Sequence, residues 1–155
     1  METDNRSAAS VMSSHPVILN PNDKVKTAAG YIMEYRYRTL PIVDFEGRFL
    51  GIFSVNCLLQ HILPKAALME KGLKSVHFVR DSLKDLHDHF RKVENEPVSI
   101  CLKTEVTTVS PDTPLVETLV IMYRTRSSIP VVEPDTGKLL GMISYWDVGK
   151  AIHSA

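Results

Sequence analysis

The chain is short of several things, and each shortage removes a class of function. It has no excess of either charge: 18 Lys and Arg face 18 Asp and Glu in 155 residues. Bulk nucleic-acid binding needs a basic face to neutralise phosphates, and single-strand binding needs aromatics interleaved with it, so neither is expected here. A small local cluster holding one phosphate is still allowed. There are only two cysteines, Cys57 and Cys101, and they make no Cys-x-x-Cys pair. That spacing fits a reducing cytosol and gives no metal site. No apolar run approaches the ~20 residues of a membrane helix. The polar start Met-Glu-Thr-Asp-Asn-Arg-Ser has no apolar signal core. A stand-alone cytoplasmic protein is therefore expected. Catalytic signatures are lacking too: no G-x-S-x-G, no phosphate-binding P-loop and no H-E-x-x-H. His153, on the helix after Ser144, is the single histidine near that hydroxyl in sequence, so catalysis is not expected.

What the chain does have is enough apolar content, 44%, for a packed core, and a repeat. Its clearest stretch is Gly141-Met-Ile-Ser-Tyr-Trp-Asp147, a strand ending in a hydroxyl with a carboxylate three residues on. Two uses compete for it. Ser144 and Asp147 can simply cap the helix that follows. Alternatively, the helix mouth can hold an anion while Asp147 accepts the diol of a sugar. An earlier copy, Gly51-Ile-Phe-Ser54, lies at a constant offset: 90 residues separate Gly51 from Gly141, Ser54 from Ser144 and Pro21 from Pro111.

The elements repeat in the same order. In the first half His15–Leu19 reads as a short strand. Val25, Ala28, Ala29, Ile32 and Met33 fall at helical spacing, and Thr39–Val43 with Arg48–Phe53 reads as a hairpin. A closing helix runs from Ser54 to Ile62. In the second half Val106–Val109, a helix bearing Leu115, Leu119, Ile121 and Met122, and the hairpin Ile129–Val132 with Lys138–Ile143 follow the same plan. The fold class is thus α/β (α+β): two βαββα units, each too small to cover its own sheet, packed sheet to sheet with helices outside. The boundaries are a flexible N-terminus over 1–9, repeat one over 10–64, a helical insertion over 65–100 and repeat two over 101–155.

The insertion carries Val76, Val79, Leu83, Leu86, Phe90 and Val93 at alternating three- and four-residue spacing, a stripe on a helix from about Ser75 to Glu94. It can lie on its own module's core or pair with a second subunit. His77, Asp81, Asp85 and His89 line one flank of that helix. A straight helix drifts ~40° per four residues and cannot aim all four at one ion, so no metal site is assigned.

The motifs resemble those of cystathionine-β-synthase (CBS) domains in tandem, the Bateman module. Thr39-Leu-Pro-Ile-Val-Asp44 and Ser128-Ile-Pro-Val-Val-Glu133 resemble the family's second strand, and the two Gly-h-h-Ser runs resemble its third. The resemblance implies a regulatory module that binds an adenosine nucleotide (AMP, ADP or ATP) between the repeats, needs no cofactor, forms a homodimer and signals to an effector protein. It also implies a site: Ser144 and Asp147 for the ribose, flanked by Met142 and Trp146, with Pro16, Val17, Tyr37, Arg38, Thr39 and Pro41 from repeat one. His15 is close in sequence, and Arg38 is the candidate for phosphate. A weaker second cleft would use Ser54, Thr107, Arg126, Ser127 and Ser128. There Cys57 stands where repeat two has Asp147, and a thiol cannot accept two hydroxyls as a carboxylate does. One ligand per chain is expected. The alternatives are a ligand-free dimerisation scaffold and a module for S-adenosylmethionine or another adenosyl compound.

Overall fold

The computed structural model describes residues 6–63 and 83–154. In chain order they form α1 (Ala8–Val11), α2 (Val25–Tyr35), β1 (Thr39–Val43), β2 (Phe49–Ser54), α3 (Val55–Ile62) and α4 (Leu83–Val93). After a 3₁₀ turn at Val98–Cys101 come α5 (Leu115–Thr125), β3 (Ile129–Val132), β4 (Leu139–Ile143) and α6 (Tyr145–His153). The two halves have separate cores. One gathers Leu19, Val25, Ala28, Leu40, Ile42, Phe53, Val98 and Cys101, the other Ala8, Val109, Met122, Ile129, Val131 and Ile143.

β1 pairs antiparallel with β2, and β3 with β4. The first strand predicted for each repeat shrinks to one residue: Leu19 bridges Ile42, and Val109 bridges Val131, both in parallel. Proline explains the truncation. Leu19 N–H donates to Pro41 O (2.9 Å) and Val43 N–H to Leu19 O (2.8 Å). The next donor in that ladder would be the N–H of residue 41, which proline lacks. Pro130 interrupts the second sheet in the same way: Val109 N–H reaches Pro130 O at 3.1 Å, and the ladder stops. The carbonyls of Val17 and Thr107 are thereby left without that partner.

Each half then borrows a segment from the other. Ser13 pairs with Met142 on the outer edge of β4, and Lys103 pairs with Ile52 on the outer edge of β2. The exchanged segments also satisfy helix starts. Val25 and Lys26 N–H donate to Glu96 and Glu94 O (2.9 Å each), while Leu115 N–H donates to Arg6 O (3.0 Å). Neither α2 nor α5 has a side-chain cap, so the borrowed carbonyls supply acceptors for their orphan donors. The motif glycines follow from the same crossing. A Cβ on Gly141 would come within 2.5 Å of Ser13 O, and one on Gly51 would overlap Lys103 O.

The hairpins join at their turn ends, where Arg48 pairs with Lys138. Phe49 N–H donates to Gly137 O (2.9 Å) and Leu139 N–H to Gly47 O (3.0 Å). These are the same bond twice, each partner displaced by the 90-residue repeat, so the seam lies on a pseudo-two-fold axis.

The expected flexible stretch 1–9 is corrected at its end: Ala8 is fully buried in the second core, and its N–H donates to Thr113 O at 2.8 Å. The stripe of the insertion divides. Phe90 packs on the first core and Leu83 stays 83% exposed, while Val76 and Val79 lie outside the described residues. His77 and Asp81 also lie outside them. His89, from the same flank, uses Nδ1 toward Ile62 O at 2.7 Å, a contact between α4 and the end of α3.

Candidate functional site

Ser144 ends β4 in extended conformation and caps α6. Its Oγ accepts from Asp147 N–H at 3.2 Å, while its own N–H (2.8 Å) and Oγ–H (2.9 Å) donate to Asp147 Oδ2. This is a capping box with Asp in the third helical position. It fixes the carboxylate at the helix mouth and engages one of its two oxygens; Oδ1 takes no part in the box.

Beside it lies an open, mostly polar groove of about 570 Å³ between the chain at Ser10–His15 and one face of α6. Asp147, Lys150, Ala151 and Ser154 line the α6 side, and Ser10, Val11, Met12, Ser13, Ser14 and His15 the other. The two walls meet because Ser13 is hydrogen-bonded to Met142: Ser13 N–H to Met142 O at 2.8 Å and Met142 N–H to Ser13 O at 3.0 Å. The groove therefore combines a repeat-two carboxylate with backbone and hydroxyls from the chain leading into repeat one. His15 Nδ1 sits 3.1 Å from Ser14 Oγ.

Of the residues singled out in the sequence, Asp147 and His15 line this groove, and Ser144 anchors it through the cap. Pro16 and Val17 follow His15 in the chain but stand outside the lining, and Val17 packs on the first core. Met142 is buried in β4 and contributes backbone, whereas Trp146 is 76% exposed. Tyr37, Arg38, Thr39 and Pro41 lie in repeat one, outside the groove's lining. Pro41 is buried, Arg38 is exposed with its carbonyl accepting from Val55 N–H at 2.9 Å, and Tyr37 stacks on Tyr35 with centroids 5.9 Å apart.

Lys150 and Ser154 were missed by sequence reasoning. The signal was present, since Asp147, Lys150, Ala151 and Ser154 fall at i, i+3, i+4 and i+7 on one helical face, although Lys150 and Ser154 lie beyond the Gly141–Asp147 motif.

In repeat one the equivalent helix start is simpler. Ser54 Oγ accepts from Cys57 N–H at 3.1 Å, and no carboxylate closes the box. Ser127 Oγ reaches Ser128 O (3.3 Å) and lies 3.5 Å from Thr125 Oγ1. Arg126 ends α5 in the left-handed region (φ 56°), as Arg36 ends α2 (φ 59°), and Thr107 is exposed.

Cys57 itself brings a correction. The two cysteines, read as unpaired from their spacing, form a disulfide with Cα atoms 5.8 Å apart across 44 residues. Segment exchange is the reason: it lays the 3₁₀ turn that ends in Cys101 against the first core. The argument for a reducing compartment from cysteine usage loses its footing accordingly. No helix among the described residues is long and apolar enough to cross a membrane.

Comparison with known proteins agrees with this geometry. The CBS domain family matches residues 8–64 and 96–154. The chain belongs to that family, as a pair of CBS domains. Among solved structures it is similar to CBSX2 in complex with AMP: TM-score 0.71, 18% identity, covering 96% of this chain and 97% of that one. It is also similar to the CBS domain pair of protein MJ0100 in complex with 5′-methylthioadenosine and S-adenosyl-L-methionine: TM-score 0.65, 18% identity, covering 96% of each chain. At these identities the likeness is one of fold. A curated relative, the A-adding tRNA nucleotidyltransferase of Aquifex aeolicus (strain VF5), is 23% identical over 143 residues, 92% of this chain. The chain spans only 14% of that protein's length.

Proposed function

We propose that this CBS pair is a non-catalytic regulatory module that binds one adenosine nucleotide (AMP, ADP or ATP) at the Ser144–Asp147 helix mouth. The observation that carries it is the capped carboxylate facing a polar groove walled by α6 and by the Ser10–His15 segment that leads into repeat one. Asp147 has acceptor capacity left for a ribose diol. Lys150, one turn on, supplies a cation for phosphate from within the lining, and exposed Arg38, outside the lining, is a second candidate. The Val17 carbonyl, released from the sheet by Pro41, is the backbone acceptor nearest in sequence for the base edge, while the Val17 side chain itself packs on the first core. The complexes of CBSX2 with AMP and of MJ0100 with adenosyl compounds support this ligand class, S-adenosylmethionine included. A ligand that touches both halves biases their relative position, and a cytoplasmic effector protein acting on a homodimer would read that change.

A scaffold without a ligand is the second reading. It is favoured by the capping box, which gives Ser144 and Asp147 a structural task, and by apolar residues on the outer helices: Met33 (79% exposed), Val116 (74%) and Tyr123 (82%).

Titration calorimetry with AMP, ATP and S-adenosylmethionine separates the two. The informative variant is Asp147→Asn, which can still accept from Ser144 N–H but no longer offers two anionic oxygens. One equivalent bound by the wild type and roughly tenfold weaker binding by Asp147→Asn, about 1.4 kcal/mol, is the expected result. No heat with any of the three ligands leaves the scaffold.

A further inference from the structure

We propose that Cys57, His61 and Cys101 form a thiol-gated site for a soft divalent cation, zinc being the ion whose chemistry fits best. The argument is independent of nucleotide binding. Cys57 and His61 are four residues apart on α3 and so share one of its faces. Cys101 reaches that face from the 3₁₀ turn, which is held at its start by Val98 N–H on Asp23 O at 2.7 Å and Ser99 N–H on Pro21 O at 3.2 Å. The two sulfurs and an imidazole nitrogen all lie within 4.8 Å of one another. A tetrahedral zinc centre has Zn–S bonds of ~2.3 Å and Zn–N bonds of ~2.0 Å, which puts its ligand atoms roughly 3.3–3.8 Å apart. Small side-chain rotations therefore separate the oxidised pair into a chelating one.

The donors form a gradient from core to solvent: Cys101 is 4% exposed, Cys57 is half-buried, and His61 is exposed. Three protein ligands with one side open leave a fourth position for water or an exchanging group. A purely structural disulfide would not need a histidine at its rim.

The disulfide is the closed state, because its sulfurs carry no thiolate to give. A low-molecular-weight dithiol opens it, transferring two electrons and two protons to the two sulfurs and becoming a cyclic disulfide itself. Cation binding then forms two metal–thiolate bonds and releases the two thiol protons to solvent, while neutral His61 donates a ring lone pair. Cys57 occupies the position that Asp147 holds in the other repeat. The module would thus carry two different inputs at equivalent places, a nucleotide on one side and a thiol-dependent metal on the other.

Cobalt(II) titration of the whole chain tests this. After reduction and anaerobic removal of the reductant, one equivalent should bind and give a near-ultraviolet thiolate-to-cobalt charge-transfer band that zinc abolishes. Oxidised protein, and reduced protein alkylated at both thiols, should give no band. His61→Ala leaves the disulfide and the core untouched and should weaken binding roughly tenfold or more, since even residues supporting a metal ligand alter affinity by that factor. Cys101→Ser should remove the band. If Cys101→Ser fails to fold, the alkylated wild type and His61→Ala decide. A reduced wild type without the band overturns the site, as does unchanged affinity in His61→Ala.

Discussion

The two repeats use one backbone to do different things at the same place. Motif glycines, helix C-caps and the seam recur at a 90-residue offset, and the first hairpin strands at 89, yet the start of the closing helix differs. In repeat two Asp147 closes a capping box with Ser144 beside a polar groove. In repeat one Ser54 caps alone, and Cys57 is covalently joined to Cys101. The difference teaches that the backbone position is general and the third residue of the helix sets its chemistry. In the roles proposed above, a carboxylate there would accept a sugar diol and a thiol would serve as a redox and metal position.

Opening the disulfide should affect stability most. It closes a 44-residue separation, and restraint of that length in the unfolded chain is worth about 2–4 kcal/mol. Reduced protein should therefore show a clearly lower urea midpoint than oxidised protein, with α3 and the Val98–Cys101 turn losing amide protection first. Adding zinc to the reduced protein should recover part of the loss, because a ligand of the folded state alone raises its stability. No recovery would confine Cys57 and Cys101 to a structural bridge.

The motif glycines come next. At Gly51 a methyl group meets a backbone carbonyl, Lys103 O; at Gly141 it meets Ser13 O and the flexible Met12 side chain, whose Sδ would be 2.8 Å away. Overpacking of this kind costs about 1–3 kcal/mol. Gly51→Ala should be the worse of the two by thermal or chemical denaturation, because its methyl would overlap the facing carbonyl more deeply than the one at Gly141. Equal losses would mean that the two crossings are equally rigid.

Much of this was legible in the sequence because repetition turns weak local signals into paired ones. One Pro in a strand or one Ser before a helix says little, whereas Pro41 with Pro130 (offset 89) and Ser54 with Ser144 (offset 90) together define a duplicated unit. The helices, both hairpins and the asymmetry between Cys57 and Asp147 followed from that. Segment exchange was not legible. Nothing local to Ala8 or Val98 says that each is buried in its position by the opposite half, so the flexible N-terminus and the unpaired cysteines were both misread for one reason. The truncated first strands were in principle readable, since a proline at residue 41 forbids the next parallel bond. That reading required knowing that residues 15–19 run parallel beside it. At the site, Lys150 escaped for the opposite reason: its helical spacing from Asp147 was visible, but attention was on the motif.

The caps should separate the repeats more gently. Ser144→Ala loses a reciprocal box and should cost about 1 kcal/mol, whereas Ser54→Ala loses a single bond and should cost closer to 0.5 kcal/mol. Thermal midpoints of the two variants measure this directly, and the reverse order would show that the box in repeat two is strained rather than stabilising.

The smallest expected effect concerns the seam, where the hairpin turns also differ. In repeat one Asp44 Oδ1 accepts from Arg48 N–H (2.9 Å) and Glu46 N–H (2.9 Å), and Oδ2 pairs with Arg48 Nε (2.9 Å). In repeat two Glu133 Oε2 accepts from Asp135 N–H and Thr136 N–H (2.8 Å each) and from the Thr136 hydroxyl (3.1 Å), with no arginine. The backbone bond from Arg48, aided by its guanidinium, holds the Asp44 carboxyl below its ordinary value, and the Asp44 carboxylate raises Arg48 in return. A carboxyl with a depressed folded pKa contributes stability that is fully present above the unfolded value, near 3.9, and is lost as pH falls through the folded value. Arg48 stays charged throughout and adds no pH dependence. Acidification below about pH 4 should therefore loosen the turn end of the first hairpin, seen as lower amide protection, relative to intrinsic exchange rates, at Arg48 and at Phe49, whose N–H crosses the seam to Gly137. Asp44→Asn should lower the protection of those amides already at neutral pH and leave it flat across the acid range. If instead protection at Phe49 keeps its acid dependence in Asp44→Asn, the trigger lies elsewhere on the seam and the salt-bridged turn is not what distinguishes repeat one there.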